Sequence, residues 1–175
     1  KSTVRLENCD PEHISVMTAR LEDAGAKITC GANYIEIGPP DVIRAVHVTT
    51  AIYPGFPTDM QAQWIAMMSL AQGTSVITDT IYHDRFMHVP ELVRLGAEVT
   101  VKDNVATVVG GKKLRGAKVM STDLRASASL ILAGLAAEGT TEVLRVYHLD
   151  RGYESIEKKL QSLGADIERM KGEEF

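Results

Sequence analysis

The chain has 175 residues, 45% of them hydrophobic and 24% charged, with a formal net charge of −4. That length is one domain's worth of chain with enough apolar content for a core, and the acidic balance gives no reason to expect nucleic acid as a partner. No apolar run reaches the length of a membrane span and nothing at the N-terminus reads as a signal peptide, so a cytoplasmic protein is expected, with no membrane partner.

The elements follow in order. A strand is predicted near 2–6 and a helix near 11–24, with Asp10 as N-cap and Pro11 at the first helical position. Strands follow near 26–30, 34–38 and 43–48. A helix near 58–71 leads to a strand near 75–82, a helix near 88–95, and strands near 97–102, 105–109 and 117–120. The last stretch reads as helix 122–137, strand 141–147, helix 153–163 and strand 165–170. Cys9 and Cys30 are expected as free thiols. Neither has a Cys or His at metal-ligand spacing, and no Gly-rich phosphate loop is present, so no metal and no cofactor are expected.

These elements repeat. Leu21–Thr29 reads LEDAGAKIT, Leu92–Thr100 reads LVRLGAEVT and Leu160–Glu168 reads LQSLGADIE. Gly25, Gly96 and Gly164 fall about 70 residues apart, beyond the period of a short solenoid repeat. Each phrase is an apolar helix, a glycine cap and an alternating strand. A second repeat is interleaved: Thr58-Asp59-Met60-Gln61-Ala62 matches Thr122-Asp123-Leu124-Arg125-Ala126. Met60, Trp64, Met67, Met68 and Ala71 share one helical face, as do Leu124, Ala128, Ile131, Leu132 and Leu135. The methionines are core packing. The unit is helix, strand, helix, strand, strand, strand, an α/β (α+β) pattern. Three units, near 1–50, 51–120 and 121–175, are expected around a pseudo-threefold axis. The first opens in mid-unit and the third stops early, so a fragment of a longer polypeptide is expected.

Chemistry is expected where the leading helices start, since unpaired N–H groups and the positive dipole end suit anions. Thr58 with Gln61 three residues on resembles a capping box. Asp59 lies in that first turn. It reads either as a partner for the helix dipole or as a general base held by the stiff segment Tyr53-Pro54-Gly55-Phe56-Pro57. Asp123 has the same location and the same two readings. Arg85 and Arg151 each follow a strand and precede a helix; a guanidinium there binds an anion in bidentate fashion or forms a salt bridge between units. Arg125 is a third candidate cation. His83, His88 and His148 lie near the same strand ends without an assigned role.

Four stretches carry a family resemblance: YPGFPTDMQAQ at 53–63, DRFMHVPEL at 84–92, TDLRASASL at 122–130 and YHLDRGYE at 147–154. In this order they resemble the UDP-N-acetylglucosamine enolpyruvyl transferases of bacterial cell-wall synthesis. The resemblance implies two lobes, each of three units of two helices and a four-stranded sheet, with helices inside and sheets outside. Here there is one such lobe, two of its units incomplete. It implies transfer of the enolpyruvyl group of phosphoenolpyruvate to the 3′-hydroxyl of UDP-N-acetylglucosamine, through a tetrahedral intermediate, at a site between the lobes. It matches Asp59 to the base that binds the sugar hydroxyl, Ile81 to an apolar contact of the nucleotide-sugar, and Arg151 to a ligand on the phosphoenolpyruvate side. Arg85, Asp123 and Arg125 match polar residues of the cleft face. The second lobe, with the family's cysteine loop and N-terminal lysine-asparagine segment, is the missing partner, and Cys9 does not take that cysteine's role. Two alternatives stand: a lobe of the shikimate 3-phosphate enolpyruvyl transferase, or a lobe that in isolation only binds or serves structure.

Overall fold

The computed structural model describes residues 2–170. The strands are β1 Val4–Glu7, β2 Lys27–Cys30, β3 Tyr34–Gly38, β4 Val48–Thr49, β5 Thr74–Thr78, β6 Glu98–Lys102, β7 Val105–Val109, β8 Lys118–Met120 and β9 Glu142–Leu144. The α-helices are α1 Ser15–Asp23, α2 Gln61–Met68, α3 Val89–Arg94, α4 Leu124–Ala136 and α5 Ile156–Ser162. Short 3-10 helices, Pro11–Ile14 and Thr58–Met60, lead into α1 and α2, and a third spans Val146–Arg151.

The repeated phrase folds the same way three times. Gly25, Gly96 and Gly164 have φ of 105°, 95° and 90°, a region open to glycine because it lacks a Cβ. Gly25 N–H donates to the Glu22 carbonyl and Ala26 N–H to that of Leu21. The pairs Gly96–Val93 and Ala97–Leu92, then Gly164–Gln161 and Ala165–Leu160, repeat both bonds. This double closure is the Schellman motif, which satisfies carbonyls that the helix end leaves free. Asp10 caps as expected, accepting from Glu12 N at 3.0 Å.

Three sheets result. The first has order β1-β3-β2, antiparallel throughout. The second has order β4-β5-β7-β6, in which β5-β7-β6 repeats the first sheet's pattern and β4 is added parallel to β5. The third pairs β8 with β9 in parallel. The strand expected near 117–120 thus pairs forward, into the next sheet; of the one expected near 43–48 only Val48–Thr49 forms a strand, with a lone bridge at Arg44, and it too pairs forward, α2 and α4 being the crossover helices. A parallel pair requires such a crossover because no tight turn can return the chain in the same direction.

Helix α2 is buried on nearly every side, through Gln61, Ala62, Gln63, Trp64, Ile65, Ala66 and Met68. A helix buried on nearly all its faces lies inside, not on a surface. It packs against α4, whose residues 126–131 are all buried. The helices expected on the inside are therefore there, with α3 and the inner faces of β5 and β7 closing the core around Met68, Ile77, Leu92 and Val108. Two glycines permit the closest backbone approaches. A Cβ on Gly110 would stand 2.1 Å from the Ala71 carbonyl oxygen, and one on Gly116 2.2 Å from that of Thr140.

Several expectations are corrected. The strand expected at 165–170 is absent; no neighbouring strand among the described residues offers it a ladder. The strand expected at 141–147 ends at Leu144, because Arg145 takes a left-handed φ of 58° and starts the 3-10 turn that carries Tyr147. The strand expected to reach residue 82 ends at Thr78, where Asp79 turns the chain.

Candidate active site

The lead-in to Asp59 is held by packing and by backbone hydrogen bonds. Phe56 is buried and meets the Trp64 ring edge-on, with centroids 5.3 Å apart. Ala51 N–H donates to the Phe56 carbonyl, and Gly55 N–H to that of Ile52. The Tyr53–Pro54 peptide is cis. Pro57 then accepts from Met60 N–H and opens the 3-10 turn that holds Asp59.

The capping-box reading of Thr58 and Gln61 does not hold. No side chain caps α2. The Thr58 hydroxyl donates instead to Asp79 Oδ2 at 2.7 Å, and Gln61 is fully buried with no hydrogen-bond partner for its amide among the described residues. Asp123, by contrast, is a true N-cap: its Oδ1 accepts from Arg125 N at 2.8 Å and Ala126 N at 2.9 Å. The two aspartates of the repeat have parted roles.

Asp59 is gripped by two arginines. Arg85 Nη1 lies 2.8 Å from Oδ1, and Arg125 Nη2 pairs with Oδ2. The bond from Arg125 is the main reason the Asp59 carboxyl is held below the usual carboxylate range; partial burial opposes it, and Arg85 adds to the lowering. The same bond raises the Arg125 guanidinium. Half of the Asp59 side chain remains exposed (49%), so the carboxylate is open to a ligand.

Arg85, Arg125 and Arg151 come together. With Asp123 and Leu124 they line a cleft of about 350 Å³. Five of the six residues expected at the site are thereby gathered, counting Asp59 through its two ion pairs. Arg151 is exposed and makes no ion pair among the described residues. Ile81, the sixth, is partly exposed on the turn after β5, where its N–H donates to Asp79 Oδ1 at 2.9 Å. Three guanidinium groups beside a carboxylate have the geometry for bidentate contacts to an anion.

Of the three histidines, His83 lies on the exposed loop and His148 stacks on Tyr147, with centroids 4.2 Å apart. His88 is buried, and its Nε2 has no partner among the described residues. Burial pushes its pKa down to about 4; Asp123 opposes the shift and Arg85 adds to it.

Sequence reasoning missed Asp79, which is fully buried. Burial alone would raise its carboxyl, but bonds from the Tyr82 amide, Thr58, Thr50 and the Ile81 amide outweigh that and hold it below the usual range. The signal was a Thr-Asp-Thr at a strand end, where an aspartate often turns the backbone. Tyr153 ties its segment to α2, its hydroxyl accepting from Gln63 Nε2 at 3.4 Å.

A family profile described as EPSP synthase (3-phosphoshikimate 1-carboxyvinyltransferase) matches residues 1–160. The chain is 57% identical over 173 residues to a UDP-N-acetylglucosamine 1-carboxyvinyltransferase of Chlorobium phaeovibrioides, covering 99% of this chain and 41% of that protein. It is 58% identical over 172 residues to the protein of the same name in Chloroherpeton thalassium, covering 98% of this chain and 40% of that one. It thus spans about two-fifths of the length of these relatives. Among solved structures, the enolpyruvyl transferase NikO from Streptomyces tendae superposes with a TM-score of 0.86 at 30% identity, over 95% of this chain and 40% of that one. An EPSP synthase from Acinetobacter baumannii gives 0.69 at 19% identity, over 97% of this chain and 40% of that one, which shows the fold. The repeat, the sheet order, the cleft and the profile match agree, and the chain belongs to the EPSP synthase (3-phosphoshikimate 1-carboxyvinyltransferase) family.

Proposed function

We propose that this chain is one lobe of a two-lobe cytoplasmic enzyme that moves the enolpyruvyl group of phosphoenolpyruvate onto the 3′-hydroxyl of UDP-N-acetylglucosamine, at the entry to peptidoglycan synthesis. The observation that carries the reading is the pairing of Arg85 and Arg125 with the ionised Asp59 beside a cleft that those two arginines line together with Arg151. The names of the relatives at 57–58% identity support the nucleotide-sugar over shikimate 3-phosphate as acceptor.

In this reading the arginines take the phosphate and carboxylate of phosphoenolpyruvate, and Ile81 packs on the nucleotide-sugar. An incoming dianion competes with Asp59 for Arg85 and Arg125. As they turn toward it, the Asp59 carboxylate loses the bonds that depress its proton affinity and becomes a better base. It takes the hydroxyl proton while the sugar oxygen bonds to C2 and a proton from elsewhere reaches C3. The tetrahedral adduct then loses the C3 proton, the C2–phosphate oxygen bond breaks, and inorganic phosphate leaves. Asp123 holds the α4 start, and with it Arg125, in place.

The test uses the full-length polypeptide that carries this chain, with phosphate release as readout. Phosphoenolpyruvate with UDP-N-acetylglucosamine should turn over, and shikimate 3-phosphate should not replace the sugar. The 175-residue chain alone should stay at background, because catalysis needs groups on both sides of the reacting centre. Turnover only with shikimate 3-phosphate, or steady turnover by the chain alone, overturns the reading.

A further inference from the structure

Asp79 is a fully buried carboxylate that does not line the cleft, and it ties together three segments, two of which carry site residues: Thr58 beside Asp59, and the turn that leads from Ile81 to Arg85. Its Oδ1 accepts from Thr50 Oγ1 at 2.8 Å and from the Ile81 and Tyr82 amides at 2.9 Å each. Its Oδ2 accepts from Thr58 Oγ1 at 2.7 Å. The Thr58 hydroxyl, having donated its one proton there, accepts from Arg85 Nη1 at 3.0 Å, and that same nitrogen lies 2.8 Å from Asp59 Oδ1. A continuous chain of polar bonds runs from Asp79 through Thr58 and Arg85 to Asp59.

We propose that Asp79 is a positioning residue: its carboxylate fixes the Thr58–Arg85–Asp59 array and the Ile81–Tyr82 turn in one mutual arrangement. The proposal rests on the transferase reading for its kinetic consequences but not for its structural ones. The direction of the Thr58 bond decides the geometry. A carboxylate can only accept, so the Thr58 proton points down to Asp79 and its lone pairs point up to Arg85. The bonds to an ionised acceptor are roughly twice as strong as neutral ones, and four of them converge on one buried group. Its own backbone is pinned too, since Asp79 N–H donates to the Asn104 carbonyl at 2.9 Å and Asn104 Nδ2 donates back to the Asp79 carbonyl at 3.0 Å.

Asp79→Asn is nearly isosteric and tests this atom by atom. Its amide oxygen still accepts from the two backbone N–H groups, but more weakly. Its NH₂ cannot accept the Thr58 proton. Thr58→Val removes the same bond from the other end. Both are made in the full-length polypeptide, with Asp79→Glu as the charge-conserving variant and a double mutant of the first two. Hydrogen exchange, read on the peptide covering 80–86, needs no substrate. It should quicken about five- to tenfold at Ile81 and Tyr82 in Asp79→Asn, since a charged acceptor is being replaced by a neutral one. Peptides of α4 should exchange as before. In kinetics, each single variant should lower turnover about tenfold or more, with the double variant no worse than the poorer single, because both cut one chain. Asp79→Glu should recover part of the loss. Unchanged exchange at 80–86 in Asp79→Asn overturns the proposal. So do losses that multiply in the double variant, which would mean that Asp79 and Thr58 act separately. If the unaltered protein turns over neither acceptor, the transferase reading has failed, and exchange alone judges the positioning role.

Discussion

Arg125 donates from Nη2 to Oδ2 of Asp59, closing the first turn of α4 onto the turn before α2 across 66 residues of sequence. The two ends belong to successive units of the repeat, at nearly corresponding places. Asp123 caps its own helix, while Asp59 caps none, its release from that task leaving the carboxylate to two arginines.

That release makes Asp59 the sharpest test. Asp59→Asn keeps the shape but cannot accept a proton. In the full-length protein, turnover with phosphoenolpyruvate and UDP-N-acetylglucosamine should fall by about 10²–10⁴, the usual cost of losing a positioned base. Binding of the nucleotide-sugar should remain measurable by calorimetry, and Tm should stay within a few degrees. Because Arg125 and Arg85 hold its carboxyl below the ordinary 3.8, any acid limb that Asp59 imposes on kcat/KM of the free enzyme should lie below that pH. Near-normal turnover in Asp59→Asn would leave the carboxylate as a mere counter-ion.

Arg151 has no ion pair to lose among the described residues. Arg151→Lys keeps the charge and removes the planar fork. Half-saturation by phosphoenolpyruvate should rise by about tenfold, the equivalent of about 1.4 kcal/mol, with Tm unmoved. Steady-state kinetics and a melting curve on the same preparation check both halves. A lowered Tm with normal saturation would make it structural.

His88 predicts a pH effect on stability. Its folded pKa, about 4, lies below the ordinary 6.5, so between those values the unfolded chain holds the extra proton. Stability is full above pH 6.5, falls as pH drops toward 4, and loses no more from this group below that. The whole loss is on the order of 3 kcal/mol by the usual conversion of pKa into free energy. Urea titrations of the full-length protein at pH 7 and pH 5 should show the fall, and His88→Gln should flatten it. An equal slope in the variant would mean that other groups cause it.

Gly110→Ala places a methyl on the Ala71 carbonyl oxygen, which is backbone and cannot swing aside. A loss of about 1–3 kcal/mol or more is expected, the usual cost of overpacking. Melting curves of the variant beside the unaltered protein measure it. An unchanged Tm would show that the end of α2 can move.

The sequence made the repeat legible because its marks are local. A Schellman closure needs only a helix and a glycine, so the Gly-Ala phrases announced all three. The apolar faces announced α2 and α4. What stayed hidden depends on distant partners. The stretch 165–170 reads as a strand but has no neighbouring strand among the described residues, and β4 and β8 give no hint that they pair forward. Thr58 and Gln61 have capping-box spacing, yet the Thr58 hydroxyl goes to an aspartate 21 residues away. The arginines and Asp59 were readable as types at helix starts, but their mutual grip was not. Asp79 showed only a Thr-Asp-Thr at a strand end; its role depends on where its four donors come from.

The cleft also sets how the protein meets anions in salt. Arg85, Arg125 and Arg151 against Asp59 and Asp123 leave one positive charge over, on a chain whose formal charge is −4. An anion at long range meets weak repulsion and feels attraction only near the cleft, within about 8 Å at physiological ionic strength. Added electrolyte weakens both, and the distant repulsion first. Capture by this face should therefore vary little with ionic strength, unlike that of a uniformly basic surface, whose long-range steering collapses as salt rises.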